Sequence, residues 1–372
     1  RSGRLNGPIT GQQSDALLDA GRQAVIDTDL PLSTPPTAGE LIAAVAQLDG
    51  DHQADDLRGQ YIDPALSELQ PRRLITLAPT INANQGLETL VAAYCPLPEE
   101  GGGTAACGDV VVLRGGHDAL RDGMSILQPL LPPSMPSWVW WNGFLDEAPD
   151  LMEQLACAPR RLILDTAIGN PSHCLNLLRS RVESGQAVND LNWLRLRSWR
   201  ETLAMVFDPP NRRDALCHIT QLDIDVEGHH PAQGLLMAAW IADRLGWQLL
   251  GSKVSEEGVT AQFTRHDGAD IRFQLMTVPT GQPSVHAGQM VGLRLICQPE
   301  QGQGVCVILC AESGGCMRLE GGGMASLELH EEIVSVQHAS PEMDVARLLS
   351  GGHDSTNPLL AAAAPLAARL LN

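Results

Sequence analysis

Ser137-Trp138-Val139-Trp140-Trp141, then residues 148–156, then Arg161-Leu162-Ile163-Leu164-Asp165 form the stretch on which the fold turns. The outer two are short apolar runs suited to strands, and the segment between them has helical spacing. Strand, helix, strand implies parallel pairing, because parallel neighbours need a crossover connection. The alternation continues upstream. Residues 74–77 read as a short strand, and Val110-Val111-Val112-Leu113 as a strand buried on both faces. Residues 118–131 read as a helix ended by Pro132, Pro133 and Pro136. With a further helix at 171–182, residues 71–188 are expected to form an α/β domain around a mostly parallel sheet.

Downstream the period changes. Asp190 has the chemistry of an N-cap for a helix that Pro209 and Pro210 close. Leu222, Ile224 and Val226 alternate with Asp223, Asp225 and Glu227, the mark of a strand with one wet face. Pro231 and Gly246 bracket a helix over 232–245. Apolar runs at 259–265, 271–278, 291–298, 305–311 and 317–320 follow, joined by short Gly-containing turns. Residues 189–372 are therefore expected to form an α+β domain with an antiparallel β meander and an Ala/Leu-rich closing helix at 358–371. Residues 1–70 read as a tail with a short helix and a linker. Thr37 and Glu40 have capping-box spacing, and Leu41, Ile42, Val45 and Leu48 follow at helical intervals.

At 372 residues the chain is long enough for two domains of ~100–200 residues each. Its formal net charge of −19 argues against nucleic acid and anionic membranes as partners, and favours a protein with a basic face. No run reaches the ~18–20 apolar residues of a membrane span; the most apolar stretch, 232–250, is broken by Asp243, Arg244 and Gly246. Residues 1–4 lack the apolar core of a secretory signal. The absence of Met at position 1 is expected of a chain that begins inside a longer product. Nine cysteines at irregular spacing suit a reducing compartment, hence a cytoplasmic location.

The sequence lacks the usual motifs of catalysis. Lys253 is the sole lysine, which removes the phosphate-binding G-x-x-x-x-G-K-[ST] loop and a Schiff-base site elsewhere. There is no G-x-S-x-G elbow, no C-x-x-C pair, and no second histidine four residues beyond His330-Glu331. No cofactor and no metal are expected. What stands out is of another kind. Trp138 and Trp140 share one strand face and Trp141 takes the other, which suits either a doubly covered core or a partner-binding edge. Asp165 follows the next strand, where it is either a ligand-facing group or a capping carboxylate. Asp190, Trp193, Arg195 and Arg200 compose either an aromatic–cationic patch for an acidic group or a solvated face. Cys310 and Cys316 flank a turn; directly opposed, they would be close enough for a disulfide.

These residues resemble the OpcA family, the glucose-6-phosphate dehydrogenase assembly proteins. The resemblance rests on Trp140-Trp141 after a Pro-containing turn, Arg161-Leu162-Ile163-Leu164-Asp165 about twenty residues on, and Asp190-Leu191-Asn192-Trp193 with Trp199-Arg200. Residues 235–245 followed by Gly246-Trp247 complete it. It spans about residues 72–330. What it implies is a non-catalytic partner that binds glucose-6-phosphate dehydrogenase and promotes its assembly and allosteric activation at the entry to the oxidative pentose phosphate pathway. In cyanobacteria it also implies a link to thioredoxin redox state. Two rival expectations stand beside it: a sugar- or nucleotide-binding enzyme with its site near Asp165, and a purely structural scaffold.

Overall fold

Glu40–Val45, expected from its spacing to open a helix, is a β-strand in the computed structural model. The model describes residues 3–4, 40–45, 72–80, 82, 84–94, 108–127, 129, 137–145, 149–156, 161–208, 213–279, 288–298, 305–312, 316–322, 332–335, 341–350 and 355–372. The chain divides into two units. Arg1–Asp165, Gln186–Asn189 and Ser340–Ser355 form the first; Thr166–Gly185, Asp190–Ala339 and Thr356–Asn372 form the second.

The strands of the first unit's sheet are Gly3–Arg4 (β1), Glu40–Val45 (β2), Arg72–Pro79 (β3), Glu88–Tyr94 (β4), Gly108–Gly115 (β5), Ser137–Asn142 (β6), Arg161–Leu164 (β7) and Val188–Asp190 (β8). Their order is β1-β4-β5-β3-β2-β6-β7-β8. β2 pairs in parallel with β3 on one side and β6 on the other, β3 in parallel with β5, and β6 in parallel with β7. β4 is antiparallel to β5. Setting aside β1 and β4, the order is that of a doubly wound sheet, whose direction of winding reverses at its first strand. This pairing makes a strand of the expected helix start. The short apolar run from Leu41 to Val45 satisfies helix and strand patterns alike. Two parallel neighbours, which no local pattern reveals, decide it. The α/β expectation itself holds. Helices His117–Leu127 (α1) and Pro149–Leu155 (α2) fall between consecutive strands. Ile75, Leu77, Leu113, Val139, Leu162 and Ile163 are fully buried.

The second unit begins with helix Pro171–Glu183 (α3), followed by Leu191–Arg195 (α4) and Arg197–Phe207 (α5). The single helix expected after Asp190 is thus two, joined through Leu196. Strand Ile219–Glu227 (β9) and helix Ala232–Arg244 (α6) come next. Then run strands Gln248–Ser255 (β10), Gly258–Thr264 (β11), Asp270–Val278 (β12), Met290–Cys297 (β13), Val305–Glu312 (β14), Cys316–Gly322 (β15) and Glu332–Ser335 (β16). The last helices are Pro341–Ser350 (α7), in the first unit, and Pro358–Arg369 (α8), in the second. The second sheet runs β10-β11-β12-β9-β13-β14-β15-β16. It is the expected meander with one departure: β9 enters between β12 and β13, parallel to the former. Leu222, Ile224, Val226, Phe273 and Leu295 build the face against which α6 packs. The opposite face carries Asp223, Asp225 and Arg294.

α6 lies very close to this sheet. A Cβ at Gly234 would stand 2.6 Å from Leu275 Cδ1, 3.0 Å from Val226 Cγ1 and 3.1 Å from Ile224 Cγ2. Past its C-terminus, Gly246 adopts φ 67° and donates to Asp243 O, while the Trp247 N–H donates to Ala242 O. Gly234→Ala is expected to lower stability by about 1–2 kcal/mol, since overpacking outweighs the gain in helix propensity. A shift of the urea midpoint at constant slope would show it; a more stable variant would contradict the close approach.

Candidate functional site

In the second unit a buried polar cluster grows from Asp190. Its backbone is extended, so its carboxylate reaches over the first turn of α4 and accepts from the Asn192 N–H at 3.2 Å. The same carboxylate accepts from the Thr166 N–H at 2.9 Å and the Thr166 hydroxyl at 2.8 Å. From there the bonds continue in one direction. Asn192 Nδ2 donates to Thr166 Oγ1 (3.2 Å), Gln233 Nε2 of α6 donates to Asn192 Oδ1 (2.8 Å), and the Met290 N–H opening β13 donates to Gln233 Oε1 (2.7 Å). Thr166, Asp190, Asn192 and Gln233 are all buried. Nearby, the Nε2–H of His230 donates to Gly169 O at 3.0 Å.

Chemically this chain of bonds is a clamp. The carboxylate accepts from three donors, and the two neutral amides carry the bonding onward, so each group is held in one position. The clamp fixes the segment before α3, the start of α4, α6 and β13 relative to one another, and a low dielectric strengthens each link. Of its members only Asp190 was singled out from sequence. Thr166 carries no periodic signal. Gln233 was the legible one: a lone amide in the otherwise apolar Ala232–Ala239 stretch signals a buried hydrogen bond.

Trp193 and Arg200 do come together. The guanidinium lies 3.6 Å from the ring centroid, and its Nη1 donates to Trp193 O at 3.1 Å. Burial lowers Arg200 to about 10, with Glu201 offsetting part of the effect and Arg197 adding to it; the group stays charged at neutral pH. Trp193 itself is buried and Arg200 half-buried, so the indole belongs to the core and only the guanidinium side of the pair reaches solvent. Arg195 is half-exposed at the end of α4.

In the first unit Trp138, Trp140 and Trp141 are 6%, 2% and 6% exposed. The partner-edge reading of these indoles is thereby corrected. β6 is an interior strand with β2 and β7 on its flanks, and both of its faces are covered. Trp138 stacks with Arg161 at 4.9 Å, and Trp141 Nε1 donates to Phe144 O. Asp165, after β7, is likewise buried.

The opposed geometry required of Cys310 and Cys316 is not present. The register of β14 and β15 sets Cys310 across from Arg318 and Cys316 across from Glu312. The two cysteines are diagonal neighbours, about 7–8 Å apart at Cα, at or beyond the reach of a disulfide. The strand register gives each cysteine a different partner. Elsewhere, burial pushes the Cys297 thiol up to about 12, and burial also raises Cys306; neither is poised as a thiolate.

Among the described residues no group of three or more His, Cys, Asp or Glu is arranged to hold a metal. For a dinucleotide, the doubly wound order assigns the phosphate-binding turn to the sequence after β2. That sequence, Ala46-Gln47-Leu48-Asp49-Gly50-Asp51, has one glycine where the fingerprint has three.

Comparison with known proteins gives a consistent result. Residues 63–180 match the model of the glucose-6-phosphate dehydrogenase subunit N-terminal domain, and residues 186–364 that of the C-terminal domain. The OxPP cycle protein OpcA of Synechococcus elongatus is 30% identical over 352 residues, covering 91% of this chain and 76% of that protein. Its namesake in Synechocystis is 31% identical over 369 residues, covering 93% and 77%. Among solved structures, glucose-6-phosphate 1-dehydrogenase from Mycobacterium avium superposes with a TM-score of 0.51 at 11% identity, over 91% of each chain. At that identity the likeness is one of fold.

Proposed function

The chain belongs to the OpcA family of glucose-6-phosphate dehydrogenase subunits, and from that premise we propose that it binds a glucose-6-phosphate dehydrogenase and promotes its assembly and activation without turning over a substrate itself. The observation that carries this reading is a mismatch between fold and motif. The fold resembles that of a dehydrogenase over 91% of the chain, yet the segment after β2 lacks the phosphate-binding glycines. The polar groups gathered around Asp190 are also bonded to one another, which suits rigidity better than turnover. The net charge of −19 supports a partner with a basic face. Among the described residues no helix is long and apolar enough to cross a membrane. Nine irregularly spaced cysteines suit a reducing compartment, and on that ground we place the complex in the cytoplasm.

An activator works only through unequal affinity for the enzyme's two states. Moving an equilibrium from 1:99 to 99:1 requires about 5.5 kcal/mol of differential binding. With the β6 indoles buried, exposed apolar side chains among the described residues, such as Phe144, Met205 and Leu250, are candidate anchors to supply it. The test is kinetic. Titrating the chain into its cognate dehydrogenase is expected to raise kcat/KM saturably, with both proteins co-eluting on size exclusion. A scaffold would assemble the oligomer and leave its kinetics unchanged. An enzyme indifferent to the chain in both respects, or metabolite turnover by the chain alone, would sink the proposal.

A further inference from the structure

The second unit contains a cavity that the functional reading does not use. It has a volume of about 320 Å³ and lies between the C-terminal halves of α5 and α6, beside the short 3₁₀ turn Asp214–His218, with Leu295 of β13 contributing to its lining. Its walls are apolar: Leu203 and Phe207 from α5, Ile241 from α6, Leu245 that caps it, and Leu216 from the turn. Leu216, Trp240 and Leu245 remain partly exposed although they border a well-packed core, so apolar surface stands uncovered there. The charged lining residues are Arg213, Arg244 and Asp208. Two positive charges and one negative give the lining +1, against −19 for the whole chain. Arg213 Nη2 donates to Asp208 O at 2.7 Å, and Arg244 donates through Nε and Nη2 to Asp243 Oδ2 at 3.0 and 2.6 Å. A guanidinium carries five N–H donors, so neither is saturated by these bonds. The Arg244–Asp243 pair is solvent-exposed and thus weak enough to share.

We propose that this cavity is a binding site for a small molecule with an apolar body and a single acidic group, such as an aryl or short-chain acyl carboxylate. The volume sits at the lower end of ligand pockets, about 300–1,000 Å³, and suits a body of one ring or a short chain. Leu203, Phe207 and Ile241 take the apolar part; Arg213 and Arg244 at the rim take the carboxylate, the geometry for which a guanidinium fork is built. A neutral ligand would find no use for the arginines, and a larger polyanion would meet Asp208.

The test uses the full chain and phenylbutyrate as probe, with phenylbutanol as its neutral counterpart, by isothermal titration calorimetry. The acid is expected to bind at one saturable site and more tightly than the alcohol. Combining Arg213→Gln and Arg244→Gln, both on exposed side chains, should weaken the acid by about tenfold or more and leave the alcohol unchanged. Leu216→Trp should fill the cavity and abolish both; its fold is checked by circular dichroism, and the arginine variants carry the test if it misfolds. Absence of saturable acid binding overturns the proposal. So does equal binding of acid and alcohol, or binding that survives Leu216→Trp in a folded chain. If Leu216→Trp instead abolishes only dehydrogenase activation, with no probe bound by the parent chain, the cavity receives a partner side chain and the proposal is likewise overturned. Because the readout is direct binding to the isolated chain, it stands or falls separately from the activation of the dehydrogenase.

Discussion

Asp190→Ala is expected to lower the stability of the second unit by about 3–5 kcal/mol, the range seen when a buried charged partner is removed from its network. The carboxylate is 2% exposed and accepts from the Thr166 N–H, the Thr166 hydroxyl and the Asn192 N–H. Alanine leaves those donors without their acceptor in a buried site, so their desolvation cost is no longer offset. The helix also loses its N-cap, about 1 kcal/mol of the total. Asp190→Asn retains one acceptor oxygen and the shape; the Thr166 hydroxyl can rotate to adjust, and about 1–2 kcal/mol is expected. Arg197→Ala is the control. It breaks the 2.7 Å pair with Glu201, whose side chains are 70% and 60% exposed, and should change little. Urea unfolding followed by circular dichroism measures all three. If Asp190→Ala falls as close to the parent as Arg197→Ala does, the clamp carries none of the load assigned to it.

That clamp also shows where sequence reading succeeds and stops. Asp190 announced itself because an N-cap is a local device: extended backbone, short carboxylate, helix following. β6, β7 and β9 were legible for the same reason, since alternation and short apolar runs are written within a few residues. Strand order is not written that way. β2 has the composition of a buried helix turn as much as of a strand, and what makes it a strand is pairing with β3 on one flank and β6 on the other. Nothing near residue 40 encodes those neighbours. The insertion of β9 beside β12 is equally non-local; a run of consecutive strands reads as a plain meander. Cys310 and Cys316 illustrate register. A turn between two strands is visible in the sequence, but a shift of two residues along the partner strand separates a direct pair from a diagonal one. Asn192 and Gln233, 41 residues apart, meet only after the helices dock.

The indole at position 140 gives the sharpest division between folding and docking. Trp140 is 2% exposed, and its strand register sets it beside Ala43 of β2 and Ile163 of β7. Trp140→Ala should therefore cost about 3–5 kcal/mol in the chain alone, by lost burial plus the cavity left in a sheet that cannot collapse around it. Loss of dehydrogenase activation would follow from the smaller folded population and not from a missing contact. Trp140→Phe separates the two causes. The Nε1–H of Trp140 is buried and has no hydrogen-bond partner among the described residues, so phenylalanine gives up volume but also removes an unsatisfied donor. The two effects oppose each other, and the net change is expected within about 1 kcal/mol. Activation by Trp140→Phe should then match that of the parent chain, while Trp140→Ala recovers it only in proportion to its folded fraction. A Trp140→Ala chain that melts like the parent and yet fails to activate would show that the indole leaves the core to meet the enzyme, and the sheet described here would then be only one of two states of the first unit.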